Sequence, residues 1–325
     1  MGTIDYHKAS RGLGSPLKSP RSPAQVKPST REPRLSAEAQ QQLFAYALVL
    51  PVVVLLAGLV GYPLFYAVYV SFTNLVVGGT AEWIGLANFR YLAKSPVFNS
   101  AIWNTIVLVV VSDVFKLAIG LGLALLVNQR IPARGLFRSF LMLPWAMPAF
   151  VAFLTWRVLY QPIGGGFNLI LTKTGLYPEI IDWLGQRSTA MPAVIAASVW
   201  RGFPFWFVSI LAALQNIPSE LYEAARVDGA NAWQRFRAVT WPGIKRVVII
   251  TTLLSSIWTA NSFESVWLLT QGGPSDATMG FPVLAYFGMQ TQRIGEAAAV
   301  SVAMLPALLI LVFFTTSLMQ SDESQ

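Results

Sequence analysis

The chain of 325 residues contains no cysteine, a single histidine and few charges. Without cysteine there are no disulfides, thiolate metal sites or cysteine nucleophiles, and the redox compartment stays undetermined. The one histidine, His7, sits in a polar tail and reads as a solvated residue, because a metal needs clustered ligands. Charged residues make up 12% of the chain, against roughly 25% in soluble domains. A soluble protein of this length would need more charge to cover its surface. There is no G-x-x-x-x-G-K-[ST] phosphate loop, nor any Gly-Lys step.

What the chain does have is apolar residues, 54% of the total, in blocks long enough to cross a bilayer, for which about 20 residues suffice. Six spans are expected, near 43–72, 101–127, 137–160, 191–216, 247–270 and 296–319. The expected fold is therefore an all-α integral membrane protein with six transmembrane helices. Pro51 and Pro63 predict a kink in the first span, where neighbouring helices or water can satisfy the freed carbonyls. Residues 1–36 are rich in Ser, Pro, Lys and Arg and have too little apolar surface to offset their ordering entropy. They are also too long and polar for the start of a cleaved signal peptide, so the first apolar block is expected to remain as a helix. The organisation expected is a disordered basic cytoplasmic tail over 1–36, a six-helix membrane domain over 37–320 with a cytoplasmic loop at about 217–246, and a short cytoplasmic tail over 321–325.

Basic residues set the orientation. The N-terminal tail, the link around 128–138 and the 217–246 segment carry fifteen Lys and Arg, whereas 73–100, 161–190 and 271–295 carry five. By the positive-inside rule both termini face the cytoplasm of a multi-pass protein in the cell membrane. This asymmetry accounts for the net charge of +8 without nucleic acid, and no basic stripe interleaved with aromatics is present. On the opposite side, Gly78-Gly79 and Gly164-Gly165-Gly166 read as ordinary connectors.

The 217–246 segment is the most patterned. Pro218 suits a first helical turn, and Glu220 and Glu223 lie where the helix dipole favours negative charge. Leu221, Ala224, Ala225 and Asp228 recur at helical spacing and give a narrow face with small residues at its centre. Gly229 can take the left-handed conformation that stops a helix, and Asn231 with Gln234 forms a capping-box start for a second short helix. A small-faced helix of this kind can dock in a groove on another protein. It can equally lie on membrane lipid, helped by Trp233 and Phe236.

Glu223-Ala224-Ala225-x-x-Asp228-Gly229-Ala230, followed by Phe236 and Trp241-Pro242, resembles the Glu-Ala-Ala loop of ATP-binding-cassette (ABC) importer permeases. The resemblance runs over residues 43–319. Leu143-Pro144-Trp145-Ala146-Met147-Pro148, Trp200-Arg201-Gly202-Phe203-Pro204 and Leu268-Leu269-Thr270-Gln271-Gly272-Gly273-Pro274 resemble the carbohydrate-uptake branch, the maltose-type permeases. The pattern is similar to the disaccharide importers of actinobacteria, trehalose importers among them. The extra helices and large outer domain of the maltose permease itself are absent here. The resemblance implies a type I ABC importer permease fold and transport by alternating access. It also implies the partners: a second homologous permease subunit, two ATPase subunits and an extracytoplasmic sugar-binding protein. This chain would bind no cofactor, with ATP and Mg on the ATPases. Glu223, Ala224, Ala225, Asp228, Gly229 and Ala230 would form the coupling helix that inserts into the ATPase.

Ionisable residues inside spans are costly and so carry functional weight. Asp113 and Lys116, three apart on the second span, read first as a structural pair that lowers its own burial cost. Arg157 can snorkel to the outer interface. Arg201 and Glu264, deeper within spans four and five, either pair with each other or both face a watery cavity. A sugar needs donors and acceptors for its hydroxyls and an apolar platform for its ring. Ser198, Arg201, Gly202 and Phe205 on span four and Asn261, Ser262 and Glu264 on span five supply such a set. In maltose-type permeases the transmembrane sugar site draws on the positions matching Ser198, Arg201, Gly202, Phe205 and Asn261. The alternative is that these groups only hydrogen-bond helices together.

Two other classes are weighed against a permease. A membrane-embedded protease needs a His or Lys base or H-E-x-x-H, and Lys116, the one intramembrane base, already has Asp113 beside it. A stand-alone carrier is disfavoured by the absence of visible inverted-repeat symmetry. Within the permease reading, another small polar solute such as glycerol phosphate or an oligosaccharide is the alternative to a disaccharide.

Overall fold

The computed structural model describes residues 37–129 and 132–323, and within them every regular element is helical. The tail expected over 1–36, like the last two residues of 321–325, lies outside the described residues. A single antiparallel bridge, Thr73 with Trp83, stands apart from the helices.

The first span is α1 (Ala37–Leu56), a π-helical stretch over Ala57–Gly61, and α2 (Tyr62–Ser71). Pro63 has no N–H for the carbonyl one turn back, and the ladder widens into the π turn just before it. The short α3 (Ala87–Lys94) leads to the long α4 (Pro96–Asn128), which starts at Ser95, whose hydroxyl accepts from Phe98 N–H at 3.4 Å.

The third span is not the straight helix expected over 137–160. It is a pair, α5 (Arg134–Ala146) and α6 (Ala149–Leu159), meeting at 90°. Met147 precedes a proline and is pushed to extended backbone with ψ 137°, and Pro148 follows at ψ 137°. Two extended residues between helices turn the chain. The described residues therefore hold five helices long and apolar enough to span a membrane, or six spans when the bent pair counts as one.

After α7 (Gly166–Lys173), helix α8 (Arg187–Gln215) forms the centre of the bundle. It packs along α4 and also against α11, α5 and α6. Gly120 permits the close approach to α4, since a Cβ there would lie 2.6 Å from the Trp206 Cβ. Below that contact Trp206, Phe207, Ile210, Leu211 and Leu214 interlock with Ala124 and Val127 of α4 and with Ile244 and Val248 of α11.

The fifth span also departs from expectation. Helix α10 (Ala232–Arg235) is no separate surface helix but runs through a π turn at Phe236–Thr240 into α11 (Trp241–Ala260). At the other end the expected 247–270 helix stops at Ala260. Asn261 and Ser262 leave helical geometry, Ser262 with ψ 91°, and α12 (Phe263–Leu269) starts a new axis. Glu264 lies beyond this break, so the depth expected for it along one straight span does not hold.

The 271–295 segment contains a helix, α13 (Phe281–Gln290), that packs on the final α14 (Ile294–Glu323), with Gly288 seated against Ala297. Asn104 of α4 donates to the carbonyls of Asp276 (2.8 Å) and Met279 (3.0 Å) and ties down the turn that carries Gly272-Gly273-Pro274. Arg157 is anchored as well, donating to the Leu268 carbonyl at 3.2 Å.

Candidate functional site

A narrow cleft opens between α5, α6, α8 and α11, lined by Trp145, Ser198, Arg201, Gly202, Phe205, Trp258, Ser262 and the Lys116 network. Five of the seven expected pathway residues meet here: Ser198, Arg201, Gly202, Phe205 and Ser262. Asn261 and Glu264 do not line it. Asn261 is exposed and its Nδ2 donates to the Ile257 carbonyl of its own helix at 2.8 Å, while Glu264 is exposed on α12. Among the described residues Arg201 and Glu264 form no ion pair; the ion pairs there are Asp113–Lys116 and Arg293–Glu296.

Ser198 and Arg201 share one face of α8, three residues apart. Ser198 Oγ and Arg201 Nε are shielded, and neither has a hydrogen-bond partner among the described residues. Buried polar atoms are normally satisfied. Thr105, Ser112, Arg138 and Trp206 also hold unpartnered atoms among the described residues, but only Ser198 and Arg201 of this set line the cleft. Beside them stands an aromatic wall. Trp145 and Phe205 lie with ring centroids 6.4 Å apart, and Phe205 and Trp258 4.9 Å apart. Trp145 and Trp258 are about half exposed, which leaves ring faces open. Trp145 enters the sequence only as part of the Leu143–Pro148 motif, and Trp258 belongs to no motif there. Their signal was positional, since each falls near a helix end whose break was not foreseen.

The cleft's other wall is closed. Lys116 donates to Thr259 Oγ1 (2.7 Å), Asp113 Oδ1 (3.3 Å) and Ser255 Oγ (3.4 Å). Asp113 accepts from Ser255 (2.6 Å) and Ser256 (2.7 Å), and Thr259 donates on to the Ser255 carbonyl. Asp113 and Lys116 do pair with each other, and they belong to a five-residue network joining α4 to α11. Gly202 belongs to this joint, because a Cβ there would sit 2.7 Å from the Lys116 Cε. The cleft's volume is about 90 Å³, well below the roughly 300–1,000 Å³ of a pocket that encloses a small molecule.

At the end of α8 the chain turns into α9 (Ser219–Val227), with Pro218 in the capping position just before it. Gly229 has φ +74°. Gly229 N–H reaches the Arg226 carbonyl (3.0 Å) and Ala230 N–H the Ala225 carbonyl (2.9 Å), the pairing that closes a helix through a left-handed residue. Asn231 and Gln234 form the reciprocal capping box at 2.7 and 2.9 Å. Tyr222 and Thr240 hydroxyls meet at 3.0 Å and fasten α9 to the start of α11. No residue of α9 is buried; Glu223, Ala224 and Asp228 are exposed and Ala225 half-buried.

Helices broken at prolines, a central packed span and an exposed helix between spans four and five define a type I ABC importer permease fold. The chain belongs to the family described as binding-protein-dependent transport system inner membrane component, which matches residues 116–321. It is thus a multi-pass inner-membrane transport subunit rather than an enzyme. It is 33% identical over 242 residues to the trehalose/maltose transport system permease protein MalF of Thermococcus litoralis, covering 74% of this chain and 81% of that protein. It is 34% identical over 239 residues to the sulfoquinovosyl glycerol transport system permease protein SmoG of Agrobacterium fabrum, covering 73% and 77%. The fold also matches a crystal structure of a bacterial ABC transporter involved in import of the acidic polysaccharide alginate, with TM-score 0.76 and 24% identity over 87% of this chain and 97% of that one.

Proposed function

We propose that this chain is the sugar-conducting permease of an ATP-driven importer and that its solute is a disaccharide of the trehalose or maltose kind. The observation that carries the reading is the cleft. Ser198 and Arg201 hold unpartnered polar atoms beside the rings of Trp145, Phe205 and Trp258. A pyranose offers this surface what it lacks, hydroxyl oxygens for the donors and an apolar ring face for the aromatics. The trehalose/maltose and sulfoquinovosyl glycerol permeases above are relatives whose names carry sugars, which supports the same solute class.

The cleft is too small to enclose a disaccharide, which calls for a second, homologous permease to face it. An external binding protein delivers the sugar. Two ATPase subunits, carrying ATP and Mg, grip Glu223, Ala224, Ala225, Asp228, Gly229 and Ala230. Their closure moves α9 as a lever, and because α9 is fastened to α11 through Tyr222 and Thr240, the motion reaches the cleft by alternating access. The charge bias puts α9 and both termini on the cytoplasmic side. The test is radiolabelled uptake in a deletion strain across trehalose, maltose, glycerol phosphate and sialic acid. Restored uptake of a disaccharide is the expected result; restoration of glycerol phosphate uptake alone would replace the substrate.

A further inference from the structure

Asp113 and Lys116 are buried beside the cleft, yet nothing in the transport reading uses them. As a packing device they are poor. Desolvating each ion costs several kcal/mol, and apolar residues of the same volume would hold α4 to α11 as well. What the pair does, and apolar residues cannot do, is engage the hydroxyls of the α11 wall. Ser255 gives its proton to Asp113 and takes one from Lys116; Thr259 gives its proton to the Ser255 carbonyl and takes one from Lys116. Lys116 in turn directs its three N–H bonds at Asp113, Ser255 and Thr259. Lys116, Ser255 and Thr259 all line the cleft. The hydroxyl protons of Ser255 and Thr259 and the N–H bonds of Lys116 are thereby committed within the protein, while Ser198 Oγ and Arg201 Nε on the α8 wall have no partner among the described residues. The Lys116 stem reaches α11 past Gly202, where a Cβ would lie 2.7 Å from its Cε.

We propose that Asp113 and Lys116 are positioning residues that set the selectivity of the cleft by withdrawing Ser255 and Thr259 from the solute. A solute is then read by hydrogen bonds from α8 and from Ser262 just past the end of α11, with the α11 wall otherwise contributing the Trp258 ring. The inference rests on the cleft being the sugar pathway.

The test uses the whole importer, with its ATPases and binding protein, in proteoliposomes. The variants are Asp113→Asn/Lys116→Met, which keeps the cluster's net charge and volume, Gly202→Ala, which displaces the lysine stem with both charges kept, and Arg201→Ala. Uptake of the best-transported disaccharide is measured with competition by its epimers and anomers. In the double variant, uptake per assembled transporter should fall about tenfold and the ranking of competitors should change, because Ser255 and Thr259 become available. Gly202→Ala should change the ranking in the native background and add nothing to the double variant, since both act through Lys116. An unchanged ranking in the double variant, with Arg201→Ala impaired, overturns the positioning role and leaves the pathway standing. If the double variant fails to assemble, an unchanged ranking in Gly202→Ala overturns it alone. Native uptake in Arg201→Ala overturns the pathway and this inference together.

Discussion

The cleft has two walls that hold the same kinds of side chain in opposite conditions. On α11 the hydroxyls of Ser255, Ser256 and Thr259 are all bonded, through a carboxylate and an ammonium from α4. On α8 the Ser198 hydroxyl and the Arg201 Nε are unbonded among the described residues. Both walls lie in apolar helices, where an unpaired polar group is expensive, so the contrast is one of role. A satisfied network holds helices in register, whereas the unsatisfied pair beside open aromatic rings carries the proposed solute contact.

The sharpest way to break that contrast is to strand one charge on the closed wall. Asp113→Asn or Lys116→Met alone leaves the partner ion buried and unpaired, which typically costs roughly 3–5 kcal/mol. The amount of folded chain extracted from membranes should drop steeply in each, and the combined variant should recover most of it. Equal loss in single and combined variants would mean that the pair matters as volume and not as charge.

On the open wall the expectation reverses. Arg201→Ala removes no hydrogen bond or ion pair shown among the described residues, so assembly with the ATPases should persist while uptake falls about ten- to hundredfold, the worth of a hydrogen bond from a charged donor. Arg201→Lys should recover part of it. Lower assembly with normal transport per molecule would make Arg201 a packing residue.

A smaller effect belongs to the α9 end. Gly229 at φ +74° tolerates a Cβ only at roughly 1 kcal/mol or more, although the space around it is open. Gly229→Val should reduce co-purification of the ATPase and stimulation of ATP hydrolysis by the loaded binding protein several-fold, without removing the chain from the membrane. Undiminished docking would favour α9 as a helix lying on lipid. The mildest change should be Asn261→Ala. Its amide bonds only its own helix carbonyl outside the cleft, and uptake should stay within about twofold of native, since surface substitutions are usually worth under about 0.5 kcal/mol. A large loss would place Asn261 on the pathway after all.

Much of this protein is local and was therefore readable in the chain. The Gly229 stop and the Asn231–Gln234 box depend on residues within one or two turns, and both occur where the spacing places them. Span existence is equally local, because hydrophobicity over about 20 residues suffices. The breaks inside spans three and five were not readable, since Pro148 and Asn261 can be absorbed in a membrane helix or can break it, and only neighbouring helices decide. Hydropathy also misleads about position. The α4 span is more apolar than α8, yet 28% of its apolar stretch is buried, against 56% for α8. Lipid is as good a solvent for Leu and Val as a protein core is, so burial in a membrane follows small and polar residues that let helices approach.

The sequence by itself determined the class, the spans, the charge bias and the shape of the α9 turn, because each is set by composition or by contacts a few residues apart. Tertiary structure alone decided which intramembrane polar groups are bonded and which are free. Asp113 and Lys116 find Ser255 and Thr259 some 140 positions away, whereas Arg201 finds no ion pair among the described residues. Pairing across helices depends on their rotation and distance, and these follow from close approaches such as Gly120 on Trp206 and Gly202 on Lys116.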